Sequence, residues 1–226
     1  MGKPGDKLKK VRLITPVSAE AIAKLEIGSV VTLDGCIYTG REGVYKRILD
    51  DGVTPPVDLA ALSNVNFHCS PAAAVRDDGS YRVGAVTATA SFRFAKWLPR
   101  WFEVSGARVI IGKGGMSAAD YKNIFVPAGA VYFTTVGYGT GALLGRGIKH
   151  VKAAHWLEDL GIAQAMWVFE VENFGPFLVE SDLQGNSLFE QANAQIATGL
   201  KALYAGTRPA ILSRYGETDE RSDELI

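Results

Sequence analysis

The sequence predicts an α/β protein built on a mixed sheet. Short apolar runs of strand length alternate with segments of helical period, which is the pattern of strands packed against helices. Some neighbouring strands are joined by hairpins, so the sheet is not wholly parallel. With 47% hydrophobic residues in 226, the chain can bury a large core, and a single domain over 1–206 followed by a polar tail, 207–226, is expected.

Each element follows from local chemistry. Ser18 offers a cap for a short helix through Leu25, which Gly28 ends. In the strand SVVTLDGCIYT, Val31, Leu33 and Ile37 mark one buried face, interrupted at Asp34-Gly35 by a bulge or hairpin. Glu42 to Leu49 reads as a helix closed by Asp51-Gly52, and Thr54-Pro55-Pro56 as an extended linker. Strands are expected at Val65 to Cys69 and Tyr81 to Val86. After Ser91, residues Phe94, Trp97, Leu98, Trp101 and Phe102 fall at i, i+3, i+4, i+7 and i+8, a helical core stripe that Pro99 should bend or divide. Arg108 to Ile111 is a buried strand, Ser117 caps a helix from Ala118 to Ile124, and Gly129 to Val136 is a further strand. Gly137, Gly139, Gly141 and Gly145 line a tight turn and a closely packed helix, without the spacing of a phosphate-binding loop. Met166 to Val171 and Phe177 to Val179 finish the sheet, Gln184-Gly185-Asn186 makes a turn, and Leu188 to Tyr204 is helical.

Three of these strands share a design: each runs into small residues and stops at a cation. They are CIYTGR at Arg41, AVTATASFR at Arg93 and VIIGKGG at Lys113. A small residue beside each cation lets backbone approach a ligand, and arginine grips a carboxylate through a planar fork. If the loops converge, they cage a small molecule with two or more carboxylates.

Taken in order, GSVVTLDGCIYTGREGVYKR, TATASFR, IIGKGGM, GAVYFTTVGYGTGALL, HWLEDLGIAQAMWVFEVENFGPFLV and DLQGNSL resemble the beta subunit of class I iron-sulfur hydro-lyases, over roughly residues 10 to 192. That family includes the class I fumarase C-terminal domain and the beta subunit of L-tartrate dehydratase. The resemblance implies a three-layer β/β/α swivelling domain and a hydro-lyase of a four-carbon dicarboxylate. It also implies an α2β2 assembly whose alpha subunit holds a 4Fe-4S cluster, and activity only with that subunit. By motif match, Arg41 and Arg93 bind substrate carboxylates, Lys113 is the family's GKG lysine, and Thr89 is the candidate general base. Several flanking positions depart from the family pattern: Glu42, Tyr45, Ala88, Ala90 and Ala95. These departures leave open a non-catalytic or reassigned binding subunit, or a hydratase of a substituted acid such as mesaconate.

The remaining composition is plain. Lys plus Arg equals Asp plus Glu, so no charge excess points to nucleic acid or a membrane surface. The basic start MGKPGDKLKK leads into no apolar leader stretch, and no run approaches bilayer-spanning length, so a cytoplasmic location is expected. Cys36 and Cys69 are expected to be free, and two thiols without ligand spacing do not supply the three that an open cubane needs. His68, His150 and His155 lack metal spacing, no metal site is expected, and none of the three is assigned chemistry.

Overall fold

The computed structural model describes residues 8–206 and has the expected mixed α/β character. In chain order the strands are β1 (Lys10–Ile14), β2 (Val30–Thr39), β3 (Val65–Phe67), β4 (Cys69–Val75), β5 (Tyr81–Ala88), β6 (Val109–Gly112), β7 (Val131–Thr135), β8 (Ile148–His155) and β9 (Met166–Ser181). The helices are α1 (Ala19–Ala23), α2 (Glu42–Tyr45), α3 (Leu59–Leu62), α4 (Leu98–Ser105), α5 (Ala118–Asp120), α6 (Val126–Ala128), α7 (Gly141–Gly147), α8 (Leu157–Leu160) and α9 (Leu188–Leu203). The chain divides into two compact units, Met1–Ala192 and Asn193–Ile226. The expected polar tail, 207–226, lies outside the described residues.

Within the first unit β1, β2, β3, β6 and β7 pair in parallel in that order. Strand β9 runs antiparallel to β7 and β8, and also to β2. Strand periodicity then sorts the side chains into two cores. Ile37, Val65, Phe67, Val109, Ile111, Val131 and Phe133 point into one, shared with Val86 of β5, Leu144 of α7 and Val151 of β8. Tyr38, Ile110, Tyr132, Met166 and Val168 point into the other, shared with Val44, Leu98, Trp101 and Phe125 from the helical side. The parallel strands are thus the middle of a β/β/α stack. Burying each large apolar side chain contributes roughly 1.5–3 kcal/mol.

Local chemistry explains most boundaries. Ser18 accepts a hydrogen bond from Ala21 N at the start of α1, and Ser117 with Asp120 forms a capping box on α5. The bulge expected near Asp34-Gly35 appears as register shifts between β2 and β9. Pro99 divides its segment as expected: Ser91–Trp97 is a 3-10 turn, and Pro99 lies in the first turn of α4, where a missing N–H costs nothing. All five stripe residues are buried. At Gly145 the backbone of β5 comes so close that a Cβ would lie 2.4 Å from the carbonyl oxygen of Gly84, which is the close helix packing expected of that glycine series.

The structure also differs from expectation at several elements. Strand β4, CSPAAAV, is rich in alanine and proline and has little strand propensity; its pairing with β5 holds it. Strand β8, IKHVKAAH, mixes lysines and histidines with apolar residues without strict alternation and is held by β9. The two expected segments of β9 are one 16-residue strand. Lys46–Asp50 and Tyr121–Phe125 are π-helical turns rather than α-helix. Among the described residues no helix is long and apolar enough to cross a membrane.

Candidate active site

Ligands of open parallel sheets sit beyond the carboxyl ends of the strands, and here those ends carry the candidate residues. Strand β2 hands over to Gly40 and Arg41, β3 to His68, and β6 to Lys113. The segment following β5 is stitched across them. Thr89 N–H donates to His68 O at 2.7 Å, Lys113 N–H to Thr89 O at 3.1 Å, and Ser91 N–H to Lys113 O at 3.3 Å. Gly112 permits this approach, since a Cβ there would lie 2.0 Å from Ser91 Oγ and 2.6 Å from the Tyr132 hydroxyl.

Arg41 is held from two sides. Its Nη1 donates to Ser70 Oγ and, at 2.8 Å, to the carbonyl of Ala163, while its Nε is buried without a hydrogen bond. Burial pushes the guanidinium below its ordinary pKa, and the charge of Arg93 adds to the drop. Arg93 is about half exposed and lies 3.8 Å from Glu42 at the start of α2. An exposed pair at this separation is worth less than about 1 kcal/mol, so an incoming carboxylate can displace Glu42. Thr89 is buried, and Lys113 lines a cavity of about 40 Å³ with Thr87, Ala88, Thr135 and Gly141. Space of that size holds a water or two, not a dicarboxylate.

Thr89 and Lys113 therefore meet through their backbones, and Arg41 and Arg93 share Glu42 as a neighbour. Of the altered flanking positions, Glu42 holds Arg93, Ala90 bridges to Lys113, and Ala88 faces Cys69 across the hairpin. Ala95 is half-buried in the 3-10 turn, and Tyr45 is fully buried.

A family model described as "Fumarase C-terminus" matches residues 2–192. The chain belongs to this family. A provisionally named L(+)-tartrate dehydratase subunit beta from Methanocaldococcus jannaschii is 32% identical over 185 residues, covering 80% of this chain and 92% of the relative. The L(+)-tartrate dehydratase subunit beta of Escherichia coli K12 is 28% identical over 193 residues, covering 81% of this chain and 88% of its own. A provisionally named class I fumarate hydratase from Geobacillus stearothermophilus is 33% identical, over 80% of this chain but only 34% of its own length.

In this fumarase C-terminal domain the cysteines do not fit an iron-sulfur cluster. Cys69 is fully buried and Cys36 is half-buried, and they lie against different cores. Burial raises both thiols, whereas a cluster needs thiolates. Among the described residues no group of three or more His, Cys, Asp or Glu is placed to hold a metal ion.

Sequence reasoning passed over His68, whose ring joins two other segments of the domain. It is fully buried, with Nε2 2.6 Å from the Tyr45 hydroxyl and Nδ1 2.7 Å from Ser91 Oγ. Burial, with a lesser contribution from Arg41, drives its pKa down to about 3. A signal was available in Val65-Asn66-Phe67-His68: two polar residues at i and i+2 of a buried strand share a face and need partners.

Proposed function

We propose that this chain is the beta subunit of a hydro-lyase that reversibly hydrates a four-carbon dicarboxylate of the fumarate or tartrate type. The observation that carries the reading is the stitching of the Thr89–Ser91 backbone to Lys113 beside the Arg41 and Arg93 pair. The names of the relatives, tartrate dehydratase beta subunit and class I fumarate hydratase, give it a reaction class.

Removing a C–H proton next to a carboxylate accumulates charge on an anionic group, so the chemistry needs fixed cations. Arg41, clamped by Ser70 and Ala163, is the preorganised one; Arg93 is the exchangeable one, released from Glu42 as substrate binds. Lys113 adds a point charge. Thr89 is the candidate base, and its hydroxyl is a weak one that relies on these cations to stabilise the alkoxide.

The cage is completed by a partner. A cluster-bearing alpha subunit, in an α2β2 assembly in the cytoplasm, closes the site and brings the 4Fe-4S group that this chain's cysteines do not fit. The deciding experiment is co-expression with that subunit, followed by assay of malate, fumarate, tartrate, mesaconate and citramalate. Hydration or dehydration of one of them is expected. Dicarboxylate binding without turnover in the iron-loaded complex would instead favour a reassigned binding subunit.

A further inference from the structure

Five buried side chains form a line through the domain that ends at the Lys113 backbone. Asn66 Nδ2 lies 2.6 Å from the Tyr45 hydroxyl, which is 2.6 Å from His68 Nε2; His68 Nδ1 is 2.7 Å from Ser91 Oγ, which is 2.8 Å from the Tyr132 hydroxyl. Tyr132 in turn lies 3.3 Å from the carbonyl oxygen of Lys113. All five residues are fully buried, so water does not compete for these partners.

The direction of every hydrogen bond follows from the carbonyl end. A carbonyl can only accept, so Tyr132 donates to Lys113, and its single proton is then spent. Ser91 must therefore donate to Tyr132, His68 Nδ1–H to Ser91, and Tyr45 to His68 Nε2. Tyr45 is left accepting from the amide nitrogen of Asn66, which can only donate. The direction set at the Lys113 carbonyl thus runs through to Asn66, whose Nδ2 is placed to donate.

We propose that His68 is a positioning residue of the site: as the Nδ1–H tautomer it is the middle link of one donor-to-acceptor chain that sets the Thr89–Arg93 segment against the Lys113 loop. The positioning role rests on the functional reading above. His68 grips that segment twice, through its ring at Ser91 and through its carbonyl at the N–H of Thr89. A protonated ring would present a second N–H to Tyr45, whose own proton and whose bond from Asn66 both oppose it. Arg41 adds a positive charge that disfavours the same state.

Two measurements on the full-length chain test this. Two-bond ¹H–¹⁵N correlation spectra, with His68 assigned by its loss in His68→Gln, should show one neutral Nδ1–H ring whose shifts stay constant from about pH 5 to 8. An Nε2–H ring, a tautomer mixture, or titration in that range would overturn the proposal. Amide hydrogen exchange at Thr89 and Lys113 should then speed up about tenfold or more in Tyr132→Phe, which removes the last donor without touching His68, while Ile110 in β6 stays protected. Equal acceleration at all three amides would mean general loosening rather than positioning, and would also overturn it; Ser91→Ala serves as the second variant should Tyr132→Phe fold poorly. Neither readout needs turnover, so a wrong tautomer and an absence of hydro-lyase activity are separate failures.

Discussion

Lys113 N–H donates to the carbonyl of Thr89 at 3.1 Å, so the lysine loop and the threonine loop share one backbone ladder although they leave different sheets. Displacing either loop displaces the other. The arginines are held differently, which separates their expected phenotypes.

Arg41→Ala and Arg93→Ala should each lower kcat/KM of the assembled enzyme by about a hundredfold or more with little change in folding stability. Ser70→Ala should cost less, about tenfold, because it frees the Arg41 guanidinium without deleting it. Normal kinetics in both arginine variants would show that these cations do not bind substrate.

Gly112→Ala should destabilise the chain by about 1–3 kcal/mol or more in urea unfolding, because its Cβ would overlap Ser91 Oγ and the Tyr132 hydroxyl. Gly139→Ala, where an added Cβ meets open space, should stay within about 0.5 kcal/mol. Similar losses at both positions would argue against packing as the reason for glycine at 112.

Two buried groups should give stability an unusual pH dependence. Glu180 accepts from Ser187 at 2.6 Å and from Tyr121, and burial raises its carboxyl from 4.5 to about 7. Its contribution is fully present below the unfolded value of 4.5 and is lost as pH rises through 7. His68 runs the other way: depressed from 6.5 to about 3, its contribution is present above 6.5 and is lost as pH falls towards 3. The two oppose one another from about pH 5 to 6.5. Glu180→Gln leaves His68 unopposed, so urea midpoints of the variant should fall more steeply on acidification than those of the wild type. Parallel slopes would remove Glu180 from this account.

Purified alone, the chain should be colourless and free of iron, and both iron and activity should arrive with the alpha subunit. A brown, iron-loaded preparation whose absorbance depends on Cys36 or Cys69 would reject that division of labour.

By the motif resemblance, the family pattern carries a threonine at position 90 and a carboxylate at position 95, so Ala90 and Ala95 would make a pocket wall beside Arg93 less polar. Apolar walls discriminate weakly against an added methyl. The complex should accept mesaconate readily relative to fumarate, and Ala95→Asp should shift the ratio back towards fumarate. An unchanged ratio in Ala95→Asp would place the residue outside the pocket.

Much of this was legible in the chain itself. The strand runs, the Trp97 and Trp101 stripe, the division at Pro99 and the caps at Ser18 and Ser117 are local effects, and local chemistry predicts them. Strands β4 and β8 were not legible because their stability comes from β5 and β9 rather than from their own residues. At the site, motif order pointed to Arg41, Thr89, Arg93 and Lys113. The chain from Asn66 to Tyr132 was invisible because its members sit on four separate segments, and only the completed sheet brings them into line.

The 16 residues of β9 bear on how the molecule is made. This strand closes the ladder between β2 and β7, pairing Val30 with Leu178 and Tyr132 with Ser181, so the first long strand of the domain waits for one of its partners until nearly the whole unit exists. On a ribosome the apolar edges of β2 and β7 emerge well before the segment that covers them. Pairings this distant in sequence are slow to form and expose sticky surface meanwhile. Truncation ahead of Met166 therefore leaves a chain that holds most of its core residues and lacks the strand that closes them.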